Sequence, residues 1–180
     1  MTGRFIAVVG ASGVGKDSVM AALAAANPQI SLARRVITRP SSAGGEDFEG
    51  IGETDFIARG GAGEFALSWS AHGLHYGIPD AVEAALLAGR DVLANLSRGV
   101  LPQAQARFEA CEVLHLTAAR NILAERLVVR GRESIEEITQ RLDRSARPLP
   151  RGMRVHQIDN SGALDLTVKA AMAALYPIKA

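Results

Sequence analysis

The residue types and spacing of a phosphate-binding loop occur in Gly10-Ala11-Ser12-Gly13-Val14-Gly15-Lys16. Two glycines five positions apart, followed by lysine, let successive backbone N–H groups turn inward around a phosphate. The lysine ammonium then reaches the outer phosphates, and the helix that follows adds the partial positive charge of its N-terminus. We therefore predict that residues 10–18 bind a nucleoside triphosphate. The alternative is an ordinary glycine-rich turn with a surface lysine.

The residue after the lysine departs from the usual pattern. Asp17 stands where serine or threonine normally gives a hydroxyl to Mg²⁺, and Ser18 follows one position later. A carboxylate beside a triphosphate is repelled unless it points away or shares the metal ion. We favour a shared metal ion and predict Asp17 and Ser18 as Mg²⁺ ligands. The reason lies at the end of the predicted strand 91–96, where many such proteins have an acidic metal partner and this chain has Ala94-Asn95-Leu96-Ser97.

These residues need elements that position them, and strand and helix patterns alternate along the chain. Such alternation predicts the α/β class, with a parallel sheet flanked by helices and joined by right-handed crossovers. The phosphate loop then connects the first strand to the first helix. The predicted strands are 4–9, 30–38, 65–71, 74–76, 91–96, 111–116 and 155–158, and the predicted helices are 16–26, 54–59, 81–88, 100–108, 118–130, 134–147 and 164–175.

Composition limits the classes of protein. The 180 residues, 48% of them hydrophobic, fit one globular domain spanning 1–180. The apolar runs are far shorter than the roughly 20 residues of a membrane span, and the first residues lack a signal-peptide pattern, so we expect a cytoplasmic location. The lone cysteine, Cys111, has apolar neighbours and is expected to be a buried thiol rather than a nucleophile.

The charge distribution points to small anions. The net charge is only +1, but 17 of the 20 basic residues are arginine, and nine of these lie within 120–154 beside five acidic residues. Arginine's planar fork suits bidentate phosphate recognition. Nucleic-acid binding usually adds lysines and aromatic stacking platforms, and only 4% of residues here are aromatic. We therefore expect small phosphorylated partners, no nucleic acid and no membrane, and leave a homodimer open.

From the phosphate loop through Val36-Ile37-Thr38-Arg39 and Tyr76-Gly77 to the later arginines, the order of motifs resembles guanylate kinases over nearly the whole chain. The resemblance implies a P-loop NTPase fold with a small acceptor-binding subdomain, at about 39–80, and a helical lid, at about 126–147. Three positions depart from that family. Ser42 replaces its second arginine, Phe48 one of its tyrosines, and Leu67 or Ser68 the glutamate that reads guanine. The missing glutamate disfavours GMP as the acceptor, because a purine pocket without it loses a specific hydrogen-bond partner.

Another family resembles the chain more closely. The segments Lys16-Asp17-Ser18, Asn95-Leu96-Ser97-Arg98 and Ala71-His72-Gly73-Leu74-His75-Tyr76-Gly77-Ile78-Pro79 are similar to those of ribose 1,5-bisphosphate phosphokinases of phosphonate breakdown. The resemblance implies a kinase that uses ATP and Mg²⁺ to phosphorylate the 1-phosphate of ribose 1,5-bisphosphate. The product is 5-phosphoribosyl 1-diphosphate. A sugar bisphosphate needs cations and neutral polar groups, and no base-reading carboxylate.

The same resemblance implies roles for individual residues. It gives Lys16, Arg126, Arg130 and Arg141 as catalytic residues; Arg39, Tyr76, Asn95, Ser97 and Arg98 as acceptor-binding residues; and Asn160 as a neighbour of adenine. Some of these residues have a structural alternative. The lid arginines fit a solvated helix face paired with Glu125 and Glu133, Arg39 fits a surface strand end, and Asn160 fits turn chemistry.

Other functions stay open at this stage. A nucleoside monophosphate kinase is the nearest alternative, and a non-catalytic guanylate-kinase-like binding module is the alternative from another class. The intact glycines and Lys16 disfavour the module, and the absence of an Asn-Lys-x-Asp motif disfavours a P-loop GTPase. His72 and His75 are close in sequence, but lack the Cys or Glu partners expected of a metal pair.

Overall fold

The structure is a computed structural model that describes residues 2–43, 46–130 and 149–178. Its nine strands within these ranges are β1 Phe5–Gly10, β2 Ile30–Leu32, β3 Arg35–Ile37, β4 Phe48–Gly50, β5 Phe65–Ala71, β6 Leu74–Pro79, β7 Asp91–Asn95, β8 Cys111–Thr117 and β9 Arg154–Asp159. The α-helices within the same ranges are α1 Lys16–Ala26, α2 Glu53–Gly61, α3 Val82–Leu87, α4 Leu101–Arg107, α5 Arg120–Arg130 and α6 Leu164–Leu175. Short 3₁₀ turns cover Ser41–Ala43 and Arg98–Val100.

The main sheet has five strands in the order β2-β7-β1-β8-β9, and each neighbouring pair is parallel. The central strand β1 is fully buried from Phe5 to Val9 because apolar side chains cover both of its faces. One face packs against α1 and α6, and the other packs against α3, α4 and the second sheet. This arrangement confirms the predicted parallel sheet flanked by helices.

The second sheet has four strands in the order β4-β3-β6-β5. β3 and β4 are parallel, whereas β6 is antiparallel to both β3 and β5. β5 and β6 form a hairpin whose turn residues, His72 and Gly73, both have positive φ, 54° and 72°. This geometry is that of a two-residue turn matching the twist of the strands, and it lies between the predicted strands 65–71 and 74–76. We call this second sheet the small sheet.

The prediction of one strand over 30–38 was wrong. The segment forms two strands in different sheets, because the backbone N–H of Ala33 still donates to Leu93 of the main sheet, 2.8 Å away, whereas Arg35 already pairs with Phe48 of the small sheet. Apolar and polar residues alternate in the same way before and after the chain passes from the main sheet to the small sheet. The sequence pattern therefore does not reveal where one strand ends and the next begins. β4 was also missed, since Phe48–Gly50 lies between the predicted strand 30–38 and the predicted helix 54–59.

In the described ranges, no helix has the length and apolar character that crossing a membrane requires.

Candidate active site

The phosphate loop lies between the carboxyl end of β1 and the first turn of α1, as predicted. Gly13 and Gly15 have φ of 81° and 91°, a region that side chains other than glycine rarely adopt. The Nζ of Lys16 donates to the carbonyls of Gly10 and Ala11 at 3.1 and 3.3 Å. The ammonium therefore lies over the loop, near the backbone N–H groups that would bind phosphate.

Asn160 supports the loop from the side. This residue follows β9 and is only 5% exposed. Its Nδ2 donates to the Val14 carbonyl at 2.7 Å, and its Oδ1 accepts from the Thr167 hydroxyl at 2.7 Å. A Cβ atom at Gly15 would lie 2.8 Å from this Nδ2, so glycine is also needed there for close approach. The structure thus places Asn160, predicted as an adenine neighbour, against the loop backbone; Thr167 was not predicted.

Asp17 and Asn95 meet at the carboxyl edge of the main sheet. Asn95, the last residue of β7, is 7% exposed and lies beside Val8 of β1. Its Nδ2 donates to Oδ1 of Asp17 at 2.9 Å. The carboxylate of α1 therefore reaches the strand end where an acidic metal partner is common. Ser18 lies one position further around the helix and is exposed.

Helix α5 passes beside the same loop. A Cβ at Gly13 would come within 3.1 Å of the Leu127 side chain, and Nη1 of Arg126 lies 3.5 Å from the Val14 carbonyl. The structure thus brings Arg126 to the phosphate loop. The side chain of Arg130 and the whole of Arg141 lie outside the described residues, so their predicted roles have no structural counterpart here.

The small sheet presents cations and aromatic rings on one face. The Arg39 guanidinium lies 4.2 Å from the centre of the Phe48 ring, and Tyr76 stacks on Trp69 at 5.3 Å. Arg35, which the sequence reasoning missed, lies 5.3 Å from the Tyr76 ring centre and forms an ion pair with Glu46. This face combines guanidinium groups with a phenolic hydroxyl, and both kinds of group can donate hydrogen bonds to a phosphate.

A cavity of about 440 Å³ opens at the ends of β3 and β4. It is large enough for a small-molecule ligand. Arg39 is among its lining residues, as are Glu53 and His75, whose side chains are 3.3 Å apart. The described residues that line it do not include the phosphate loop; they are Thr38, Arg39, Pro40, Gly50, Ile51, Gly52, Glu53, Gly73 and His75. The cavity is therefore separate from the phosphate loop.

Ser97 and Arg98, which the sequence predicts as acceptor contacts, lie just after β7 and are separated from it by Leu96. A guanidinium nitrogen of Arg98 lies 3.0 Å from Nε2 of His115. Because a guanidinium only donates, this Nε2 is the acceptor. Burial lowers the pKa of Arg98, and burial together with the Arg98 charge lowers the pKa of His115. His115 therefore stays neutral near pH 7, and its ring adds no second positive charge beside the Arg98 guanidinium.

Comparison with known proteins decides the family. The chain is 51% identical over 172 residues to "Ribose 1,5-bisphosphate phosphokinase PhnN" of Ruegeria sp. (strain TM1040), covering 95% of this chain and 90% of that protein. It is 43% identical to the protein of the same name from Agrobacterium fabrum (strain C58), covering 94% of each. The chain belongs to the ribose 1,5-bisphosphate phosphokinase family. No family model matches it.

Membership of the ribose 1,5-bisphosphate phosphokinase family agrees with the fold. A guanylate kinase from Anaplasma phagocytophilum matches 99% of this chain and 88% of its own at a TM-score of 0.69 and 14% sequence identity. At that identity the match shows the fold alone. The predicted guanylate-kinase-like P-loop architecture is therefore confirmed, as is the resemblance to ribose 1,5-bisphosphate phosphokinases seen in the sequence.

Proposed function

We propose that this protein transfers the γ-phosphoryl group of ATP to the 1-phosphate of ribose 1,5-bisphosphate and forms 5-phosphoribosyl 1-diphosphate. The observation that carries the proposal is the 51% identity to a ribose 1,5-bisphosphate phosphokinase, because the aligned 172 residues span both the phosphate loop and the small sheet. The cationic face of the small sheet supports it. We place the reaction in the cytoplasm, since a lone cysteine suits a reducing compartment.

The proposed reaction requires the protein mainly to position the reactants and to stabilise charge on the transferred group. The nucleophile is a phosphate oxygen that is already ionised at neutral pH, so no general base is needed. Phosphoryl transfer then depends on alignment of the reactants and stabilisation of charge on the moving group. Lys16, held over the loop by its two carbonyl contacts, supplies that charge on the donor side. Arg126 approaches the same loop, and we propose that Arg130 and Arg141 join it.

The residues at the loop fit a magnesium ion. In the described part of the chain, no three His, Cys, Asp or Glu side chains come together as a protein-only metal site. Kinases hold Mg²⁺ through one or two carboxylates plus the substrate phosphates, and Asp17 offers one such carboxylate. When bound, Mg²⁺ neutralises charge on the β- and γ-phosphates. Asn95 leaves the second carboxylate oxygen of Asp17 available, and we propose Ser18 only as a lesser contributor because it faces solvent.

We assign the acceptor to the small sheet and the end of β7. Arg39 and Tyr76 would hold one phosphate, and Ser97 with Arg98 the other, while the neutral amide of Asn95 suits a sugar hydroxyl. Two separated cations match the two phosphates of the acceptor. Neither Leu67 nor Ser68 offers a carboxylate to a guanine edge, which disfavours GMP. For the donor, we propose that Asn160 acts mainly through the loop and lies near the adenine.

The test is an acceptor comparison with matched lysine variants. ADP release from Mg²⁺-ATP would be followed with ribose 1,5-bisphosphate, ribose 5-phosphate and GMP. We expect turnover with the bisphosphate at least 100-fold above the other two. Lys16→Met should lower kcat by about 10³-fold, whereas Lys169→Met, on the exposed side of α6, should leave it unchanged. Preference for GMP would refute the proposed acceptor.

A further inference from the structure

Arg35 is a buried arginine where the two sheets meet. It begins β3 and is 9% exposed. Its Nε donates to Glu46 at 2.9 Å, and its Nη2 pairs with the other oxygen of that carboxylate. Its Nη1 donates to the backbone carbonyl of Asn95 at 3.2 Å, and its guanidinium lies over the Tyr76 ring. One side chain thus contacts the small sheet and the main sheet together.

Asn95 continues this path to the phosphate loop. Its carbonyl accepts from Arg35, while its side-chain amide donates to Asp17 at 2.9 Å. Tyr76 on the small sheet and Asp17 on α1 are therefore linked through two residues, both less than 10% exposed. In such surroundings water competes poorly for these hydrogen bonds, and their geometry is held.

The remaining described contacts between the sheets are largely apolar. Leu67 and Ile78 of the small sheet pack against the apolar face of the main sheet. Apolar contacts are not directional, so they hold the sheets together without fixing their register. The planar fork of Arg35 is directional and serves Glu46 and Asn95 at once, which a lysine ammonium on a flexible stem does not reproduce.

We propose that Arg35 is a positioning residue that aligns the small sheet with Asp17 through Asn95. The inference rests on the metal role of Asp17 in the proposed function, but not on the identity of the acceptor. Without Arg35, the carboxylate at Asp17 loses part of its alignment, and binding of the nucleotide gains less from Mg²⁺.

The experiment measures that gain directly and without catalysis. The dissociation constant of a fluorescent ATP analogue would be measured with Mg²⁺ and with EDTA, and the ratio of the two compared among variants. Arg35→Lys should lower the ratio about fivefold. Asp17→Asn should lower it at least as much, and the double variant should equal Asp17→Asn. Arg34→Lys is the matched control, since Arg34 is the adjacent arginine, 58% exposed and paired with Asp47 at 3.0 Å. It should leave the ratio unchanged.

Three outcomes would overturn the inference. A normal ratio in folded Arg35→Lys, or effects of Arg35→Lys and Asp17→Asn that multiply in the double variant, would overturn it alone. A normal ratio in Asp17→Asn would remove the proposed metal role as well. If Arg35→Lys does not fold, the pair Arg35→Gln with Glu46→Gln removes both charges of the ion pair together and is measured in the same way. That variant should also lower the ratio, and a normal value would count against the inference.

Discussion

At the scale of single residues, the site differs from the usual phosphate-loop kinase in the placement of one carboxylate. The acidic group stands at Asp17 on the helix, and the strand end carries the amide of Asn95 instead. The hydrogen bond between them keeps the carboxylate at the same edge of the sheet. A motif comparison finds the unusual aspartate, but the contact with Asn95, 78 positions away, appears only in the fold.

Asp17→Asn should lower kcat about 100-fold and raise the Mg²⁺ concentration for half-maximal activity, because the amide binds a hard cation poorly. Both quantities come from initial rates over a magnesium titration. Asp165→Asn is the control, since Asp165 also lies in the first turn of a helix, α6, and shares any effect on the helix dipole. Equal magnesium dependence in wild type and Asp17→Asn would contradict the role given to this carboxylate.

Asn160→Ala should raise the KM for ATP about tenfold, the effect of losing one buried hydrogen bond to the loop. The KM for the acceptor should stay within twofold, since the contacts of Asn160 are on the donor side. Steady-state kinetics with each substrate varied in turn gives both values. The exposed Asn121 of α5 supplies the control, Asn121→Ala, with no change expected. A rise confined to the KM for the acceptor would argue against a role of Asn160 in supporting the phosphate loop.

At the scale of elements, a charged network joins the amino ends of the main strands, opposite the site. Arg4 donates to Asp91 through its backbone and side chain and also contacts Glu112. Tyr176, after α6, donates to Asp91 at 2.8 Å. Burial acts to raise the pKa of Asp91. The hydrogen bonds from Arg4 and Tyr176 outweigh that effect and hold this pKa below its ordinary value. This network ties β1, β7 and the last helix together.

Asp91→Asn should lower the free energy of unfolding by about 3 kcal/mol near pH 7, because it leaves Arg4 without its main charged partner. Since the folded-state pKa of Asp91 lies below its unfolded value, the contribution is complete above about pH 4 and disappears as the pH falls through the folded pKa. Denaturant unfolding at several pH values measures this. The exposed Asp80→Asn is the control. The difference in free energy of unfolding between wild type and Asp91→Asn should shrink as the pH falls. A difference that grows on acidification would contradict this expectation.

The start of β8 carries the lone thiol. Burial, with a smaller effect of the Glu112 charge, raises the pKa of Cys111 to about 11. Little thiolate is then present at pH 8, and reaction with a disulfide reagent should be at least about 100-fold slower than for a free thiol. Absorbance of the released thiolate gives the rate, and the same protein in denaturant gives the reference. Equal rates in the two states would show that the thiol is not protected.

At the scale of the whole molecule, local signals predicted most of the fold. The strand-loop-helix order around residues 10–16 and the alternation of strands with helices each have a short-range pattern, and both are confirmed. The division of 30–38 between two sheets has no such pattern, since Ile30–Leu32 and Arg35–Ile37 alternate alike. For the same reason Arg35 was missed: its importance comes from Glu46, Tyr76 and Asn95, which reach it only after folding.

The measurement that tests the account most directly is phosphorus NMR of the wild-type protein with Mg²⁺-ATP and ribose 1,5-bisphosphate, alongside an equal sample with GMP. We predict that the 1-phosphate signal is replaced by two coupled diphosphate signals while ADP forms in equal amount, and that GMP stays unchanged. Conversion of GMP with an unchanged sugar would contradict the central claim, as would the absence of any transfer to either acceptor.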